Sequence, residues 1–341
     1  MRLLLDLQGA QGVARQAGLG RYSLELARAL VRSAGPHEVS ILVNTRLAEG
    51  AARLVEEFTP LLGRHRIHRW EAPANSAAGS DPQHARRRLA EAIRARVIRE
   101  AGCDVLHLGS VFEGWRDDAV TTWPVEWERP ATAATLHDLI PLSLRTLYLD
   151  GAWRAAGLRP WYARCLDELA ACDLLLANSE ATRAEALLHL DVPRTRLPVI
   201  GAGVSAAFRR PAAPDPELLP RLGLRPGFLL YLGAGDPRKN EGALLAAFAR
   251  LPPRLRAAHP LAIGHVDPPA LHAAARAHGL AAPECIALPF VPEADLPGLY
   301  AACALLVFPS LAEGFGLPLL EAMACGAPVI AANASAIPEV V

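Results

Sequence analysis

Lysine is nearly missing from this sequence: of its 35 basic residues only Lys239 is a lysine, and the rest are arginines. The bias itself is compositional, but it makes the one retained lysine a position to inspect. Excess charge is missing too. The 35 basic and 35 acidic side chains cancel, which excludes a general nucleic-acid binder, since such proteins carry a basic surplus. No apolar run approaches the roughly 20 residues of a membrane span. The opening apolar stretch is interrupted by Asp6 and Gln8 too early for a signal peptide, so it reads as a buried first strand. The six cysteines form no CxxC pair and no grouping with histidine. They read as reduced, cytosolic thiols packed as small apolar residues, not as a disulfide framework or zinc site. DxD, HExxH, the GxxxxGKS/T loop and GxSxG are all absent. With them go the local signatures of DxD-type metal-diphosphate binding, zinc proteolysis, P-loop chemistry and serine hydrolysis.

What is present is a long apolar alternation. Hydrophobic residues make up 52% and charged residues 21% of 341 positions, which excludes an extended disordered chain. At about 150 residues per domain the length suggests two domains. Strands are predicted at 3–7, 39–43, 105–108, 131–136, 174–177 and 197–200. A second series follows at 228–232, 261–263, 285–288, 305–308 and 328–331. A helix is expected at about 20–32, and helical stretches separate the other strands. Short, nearly continuous apolar strands alternating with helices mark parallel sheets covered on both faces. The fold class is therefore α/β, with two Rossmann-like, doubly wound domains facing a cleft, divided as 1–205 and 206–341. Residues 201–227, with prolines at 211, 214, 216, 220 and 226, read as the linker. The polar stretch 70–88 reads as a mobile loop.

In open α/β sheets ligands bind beyond the carboxyl ends of the strands, and four strand-end turns carry notable residues. The first is Glu313-Gly-Phe-Gly-Leu-Pro-Leu-Leu-Glu321. Pro318 suits a helix start and Gly326 its end. Gly314, Phe315, Gly316 and Leu317 would then offer backbone amides to an anion. Glu321 is expected in the first helical turn, within reach of a diol, with Glu313 in the loop. The plainer alternative is a dipole-complementing Glu321 and a solvated Glu313. The second turn is Gly233-Ala-Gly-Asp-Pro-Arg238-Lys239-Asn240, where a diphosphate could meet the cations; its alternative is a solvated Arg-Lys pair. The third places His137 and Asp138 after a strand, where a histidine can titrate near neutrality; such pairs are more often structural. The fourth, Gln8 to Gln11 followed by Gly18-Leu-Gly20-Arg21-Tyr22, gives a glycine-bearing loop near a phosphate or sugar, or an ordinary connection.

The spacing Glu313 to Glu321 has the E-x7-E form of retaining glycosyltransferases of the GT-B fold, family 4. Arg238-Lys239-Asn240 resembles that family's basic turn, and 290–300 resembles its approach to the donor. Asn178-Ser179 and the run 200–204 resemble its path to the linker, and the match is nearly colinear over the chain. The turn from Leu7 to Gln11 with Gly18 to Tyr22 resembles, more narrowly, bacterial polysaccharide mannosyltransferases. The resemblance implies an acceptor-side first domain and a nucleotide-sugar-binding second domain. It implies that Lys239, with Arg238 and the amides of Gly314–Leu317, neutralises a diphosphate, that Glu321 holds ribose hydroxyls, and that Glu313 and His137 meet the transferred sugar. A fixed cation with helix-terminal amides would stabilise the departing nucleoside diphosphate without a metal. The implied donor is a nucleotide-sugar as substrate, GDP-mannose first, with UDP- or dTDP-sugars as alternatives, and no separate cofactor. The acceptor would be a glycan or lipid-linked glycan.

Two features depart from the family pattern. The position after Gly233, where many members carry arginine, is Ala234. The chain also ends at Val341, where members continue, so the second domain is expected to be incomplete. A sugar-nucleotide epimerase and a non-catalytic nucleotide-sugar-binding subunit are the competing functions. The Arg-rich helix at 85–99 is a candidate for peripheral contact with an anionic membrane surface, with a solvated amphipathic helix as the commoner case.

Overall fold

The computed structural model describes every residue except 17, 82, 83, 214, 234 and 265. Pro214 and Ala234, both singled out above, therefore lie outside the described residues. The chain divides into two compact units, Met1–Gly201 and Ala202–Val341.

In the first unit the strands are β1 (Arg2–Asp6), β2 (Glu38–Asn44), β3 (Ile67–Trp70), β4 (Val105–Leu108), β5 (Ala131–Leu136) and β6 (Leu174–Ala177). They form one parallel sheet in the order β3-β2-β1-β4-β5-β6. The principal helices are α1 (Gly18–Arg32), α2 (Ala48–Leu62), α3 (Ala85–Ala101), α4 (Arg159–Ala170) and α5 (Glu180–His189). Alternate strand residues feed two apolar layers. Leu4 and Leu42 pack into one layer, and Leu5, Ile41 and Val43 into the other. Both sheet faces are covered, which is why the strands read as unbroken apolar runs.

Three expectations are corrected here. β3, of sequence Ile-His-Arg-Trp, is a strand that the apolar criterion missed, because two of its four residues are polar and it sits at the sheet edge. The expected strand at 197–200 is only an isolated bridge between Ala177 and Val199; Pro198 supplies no N–H for a ladder. The segment 71–81 is packed rather than loose: Ala72, Ser76, Ala77 and Ala78 are buried, and the Ala78 and Gly79 amides donate to the Gly114 and Trp115 carbonyls.

Helix α3 also departs from its expected role. Arg87, Glu91 and Arg94 are buried. Arg94 Nε donates to Asp6 Oδ2 at 2.8 Å, and Glu91 takes Arg164 Nη2 at 2.6 Å. So part of the charged face points inward, not to solvent or to a membrane surface. No helix among the described residues is long and apolar enough to cross a membrane.

In the second unit β7 (Leu229–Leu232), β8 (Leu261–Gly264), β9 (Cys285–Leu288), β10 (Leu305–Phe308) and β11 (Val329–Ala331) form a parallel sheet ordered β11-β10-β7-β8-β9. Its helices include α6 (Glu241–Ala249), α7 (Pro268–Ala277), α8 (Leu296–Ala302) and α9 (Leu317–Ala324). Residues 202–227 are more than a linker, since Phe208, Leu218 and Leu224 are built into this unit's core. The cysteines are free and, apart from half-buried Cys103, buried, as small core residues. Each sheet has a point where strand order reverses, β1/β4 in the first unit and β7/β10 in the second. Those are the places where open α/β sheets accept ligands.

Candidate active site

The β7/β10 reversal point brings together two turns that are some 75 residues apart in sequence. After β7, Asp236 caps a tight turn by accepting the Arg238 amide at 3.1 Å, and Asn240 closes it at φ 62°. After β10, the Leu311 amide donates to the Arg238 carbonyl at 2.7 Å, and Asn240 Nδ2 donates to the Pro309 carbonyl at 3.2 Å. The two turns are thus tied backbone to backbone. On that frame Glu313 receives both cations: Lys239 Nζ at 2.6 Å from Oε1 and Arg238 Nη1 at 2.6 Å from Oε2. Lys239 passes over Gly233, where a Cβ would come within 3.0 Å of its stem, and its ammonium lies 4.9 Å from the Phe308 ring centroid.

Glu313 is only 7% exposed, so it is not the solvated loop residue of the plainer alternative. Burial opposes its ionisation, but Lys239 and Arg238 outweigh that and hold its pKa below the usual carboxylate range. Burial pulls the Lys239 ammonium down, partly offset by Glu313. Ser335 brackets the same residue, accepting the Glu313 amide at 2.7 Å and donating to its carbonyl at 3.1 Å.

Helix α9 starts immediately beyond. Gly316 is its N-cap at φ 108°, a left-handed conformation suited to glycine, with Leu317 first and Pro318 second in the helix. Gly314, Phe315, Gly316 and Leu317 therefore do lie at a helix N-terminus, where amides and dipole favour an anion. Glu321, however, is the fifth helical residue rather than a first-turn acid. It is buried, and its Oε2 accepts the Tyr300 hydroxyl from α8 at 3.1 Å. Tyr300 and Ser335 were not anticipated; the residues resembling a donor approach at 290–300 contain the first, but nothing local marked the second.

In the first unit His137 follows β5. Its Nε2 donates to the Gly109 carbonyl at 2.8 Å, Tyr22 meets its ring edge-on at 5.2 Å, and Asn178 Nδ2 donates to its carbonyl at 2.9 Å. Burial lowers its pKa to about 4. The imidazole is thus neutral near pH 7, with Nε2–H committed and Nδ1 as the lone-pair nitrogen. Ser179, beside Asn178, caps α5 by accepting the Thr182 amide at 3.0 Å. The glycine-bearing turn is largely structural. Gly18 and Gly20 lie inside the first turn of α1, beside half-buried Arg21, and a Cβ on Gly20 would sit 2.5 Å from the Ala14 carbonyl oxygen. Gln8 and Gln11 are buried and turned to the Val120 and Asn44 carbonyls.

The family model described as Glycosyltransferase Family 4 matches residues 17–208, more than half of the chain. The chain belongs to glycosyltransferase family 4. A second model, Glycosyl transferases group 1, matches 220–341 of this family 4 protein. It is similar to the serotype-specific mannosyltransferase WbdA of Escherichia coli, 32% identical over all of this chain and 41% of WbdA. It thus spans about two fifths of that relative's length. The O-antigen chain mannosyltransferase B of Escherichia coli is 30% identical, with 95% of this chain and 81% of that protein covered. Among solved structures, HepE of Anabaena in complex with UDP and glucose matches with a TM-score of 0.63 at 20% identity, over 100% of this chain and 83% of HepE. WaaG, a glycosyltransferase involved in lipopolysaccharide biosynthesis, matches at 0.65 and 17%, over 100% and 83%. With its two parallel-sheet α/β units the family 4 chain has the GT-B architecture.

Proposed function

We propose that this family 4 chain is a retaining, metal-independent hexosyltransferase that moves mannose from a nucleotide-sugar to a glycan or lipid-linked glycan in bacterial surface polysaccharide synthesis. The observation that carries this reading is the convergence of Arg238, Lys239 and Glu313 at the β7/β10 reversal point, beside the N-terminus of α9. A nucleoside diphosphate leaving group gains negative charge as the glycosidic bond breaks. Two half-buried cations and helix-terminal amides held in place by the fold stabilise that charge without reorganising. In this reading Lys239 and Arg238 bind the diphosphate, assisted by the amides of Gly314–Leu317. Glu321 orients the ribose and Glu313 the transferred hexose, while His137 offers its free Nδ1 to a sugar hydroxyl. The names of the Escherichia coli relatives support mannose, and hence GDP-mannose as donor; the HepE complex keeps a UDP-sugar as the alternative.

The test is a donor screen on the full chain by thermal shift with GDP-, UDP-, dTDP- and ADP-sugars, followed by transfer assays with and without EDTA. GDP-mannose is expected to give the largest shift, and transfer is expected to survive chelation. Wild-type rates in Lys239→Ala, Glu313→Ala and His137→Ala alike would defeat the assignment. Conversion of donor without acceptor would point to an epimerase, and donor binding without turnover to a binding subunit.

A further inference from the structure

The turn that follows β11 carries a backbone signal of its own. β11 runs beside β10 with Phe308 opposite Ala331, and the Ala332 amide continues the pairing by donating to the Phe308 carbonyl at 3.0 Å. Three residues later Ser335 meets the backbone of Glu313 at two points, accepting its amide at 2.7 Å and donating to its carbonyl at 3.1 Å. Among the described residues, the non-glycine residues with positive φ are Asn75, His84, Asn240 and Ser335, the last at φ 45°. Asparagine and histidine are the types enriched in that region; serine is not. Glycine would hold it without strain. Asn240 and Ser335 also belong to the two turns that frame Glu313. The turn is anchored from behind, since Ala336 and Ile337 are fully buried and the Ile337 amide donates to the Ala334 carbonyl at 3.1 Å. Strained residues persist where their surroundings over-determine them, and they gather at functional sites. Ser335 itself is exposed, so its side chain is not needed to fill the core.

We propose that Ser335 is a positioning residue for transfer: its hydroxyl fixes the backbone of Glu313, and with it the carboxylate between Lys239 and Arg238 and the start of the loop Gly314–Gly316. This rests on the transferase reading above and adds a residue that serves it through Glu313. The two cations hold only the carboxylate end of Glu313. Ser335 holds the other end, on both sides of its Cα. A glycine at 335 would relax the turn and leave that end free. Serine keeps the strain and gains the two-point hold. Precision there matters because a reacting group displaced by a fraction of its contact distance loses much of its effect on rate. A loop brace and a positioning residue differ in what they move. Losing a brace lowers stability, whereas losing a positioning group lowers turnover in a chain that stays folded.

The experiment compares Ser335→Gly, which removes hydroxyl and strain together, with the conservative variant Ser335→Thr, which keeps the hydroxyl and adds a branched carbon at positive φ. Each full-length chain is measured for its denaturation midpoint, for kcat and donor KM, and for the rate at which acetic anhydride modifies Lys239, the only lysine, read by peptide mass spectrometry. Ser335→Gly is expected to keep or raise the midpoint yet lower kcat about tenfold, with the donor KM within about twofold of wild type. Ser335→Thr is expected to do the opposite, losing midpoint while keeping kcat within about twofold. In Ser335→Gly, Lys239 is expected to react about threefold faster or more, because a carboxylate no longer held in place covers and charges the ammonium less. A Ser335→Gly kcat within about twofold of wild type overturns the proposal and leaves the transferase reading intact. So does a rise in donor KM as large as the fall in kcat, which would put Ser335 on the donor itself. If no donor supports transfer by the wild type, the transferase reading fails. Faster modification of Lys239 in Ser335→Gly then still upholds Ser335 as the group that holds Glu313, and an unchanged rate overturns it.

Discussion

Both units tether an arginine to a carboxylate at the ends of their strands, yet the two clusters have opposite characters. In the first unit Arg94 and Asp6 are each about 1% exposed, and Arg94 Nη1 reaches the Thr122 carbonyl at 3.3 Å. Arg87 donates to the Gly114 carbonyl at 3.1 Å. Each of these cations also holds a backbone carbonyl in the segment between β4 and β5. In the second unit the Arg238 and Lys239 side chains keep 19% and 13% of their surface, and the carboxylate between them sits beside a helix N-terminus. The same pairing chemistry serves as scaffold where it is sealed and, in the function proposed above, as a ligand site where one side stays open. Arg238 Nη1 also donates to a backbone carbonyl, that of Ala312 at 3.0 Å, so what separates the clusters is the surface their cations keep.

Removing one partner separates the two roles. Arg94→Met leaves buried Asp6 with the donors of Gln8 but without its ion-pair partner, and a broken buried pair typically costs about 3–5 kcal/mol. The denaturation midpoint of the full chain is expected to fall accordingly. The double variant Asp6→Leu with Arg94→Met is expected to recover most of the loss, since it removes the stranded charge. A midpoint within about 0.5 kcal/mol of wild type for Arg94→Met alone would show that the sealed cluster is not a scaffold.

Lys239→Ala is expected to do the reverse, with little change in the denaturation midpoint. Arg238 remains to pair Glu313. Loss of one preorganised charge-stabilising group is worth about 10²–10³ in turnover, so kcat should fall by that factor and the donor-induced thermal shift should shrink. A large stability loss with intact turnover would reverse the comparison.

How much of this could be read beforehand depends on the range of the interaction. The strands β4, β5, β6, β9 and β10 match the predicted bounds, because each is a short apolar run whose sheet buries both faces. β3 was invisible for the same reason, its His68 and Arg69 breaking the run. The meeting of Lys239 with Glu313 was foreseeable only as two turns at strand ends; the strand order that makes β7 and β10 neighbours is a property of the sheet. The helix boundary explains Glu321. Gly316 rather than Pro318 ends the left-handed entry, but the first helical turn still closes before residue 321.

The buried titratable groups of the first unit sharpen the contrast through pH. His107, whose Nε2 meets the Thr135 hydroxyl at 3.0 Å, is lowered to about 4, as is His137, both chiefly by burial. In each case the unfolded chain takes up a proton between roughly pH 6.5 and 4 that the fold refuses, so acidification costs stability. Glu113 is raised to about 7 by burial, so the fold holds a proton there between about 4.5 and 7 that the unfolded chain releases. Its contribution is largest at low pH and is lost as pH rises. In the shared window the two histidines oppose one carboxyl, leaving a net of about one proton, or about 1.4 kcal/mol lost per pH unit of acidification. Glu113→Gln removes the opposing group, and the slope is expected to approach about two protons. An unchanged slope in that variant would mean that Glu113 is ionised in the fold.

The smallest expected effect tests whether the open cluster is shared with a ligand. Glu313 pairs with both Lys239 and Arg238, the same two cations that a diphosphate would use in the proposed reading. The carboxylate therefore competes with the donor, and its repulsion of the phosphates adds to that competition. Glu313→Gln keeps the shape and removes the charge. Binding of GDP, or of the nucleoside diphosphate that matches the preferred donor, is then expected to tighten by up to about tenfold in calorimetry, a gain of about 1.4 kcal/mol. Turnover is expected to fall in the same variant, because the group assigned to the hexose has lost its strongest hydrogen-bond acceptor. Tighter product binding with slower transfer is a split that a merely structural glutamate would not give. If Glu313→Gln weakens diphosphate binding instead, Glu313 holds the two cations in place for the ligand rather than competing for them, and the cluster would resemble the sealed pairs of the first unit more than its exposure suggests.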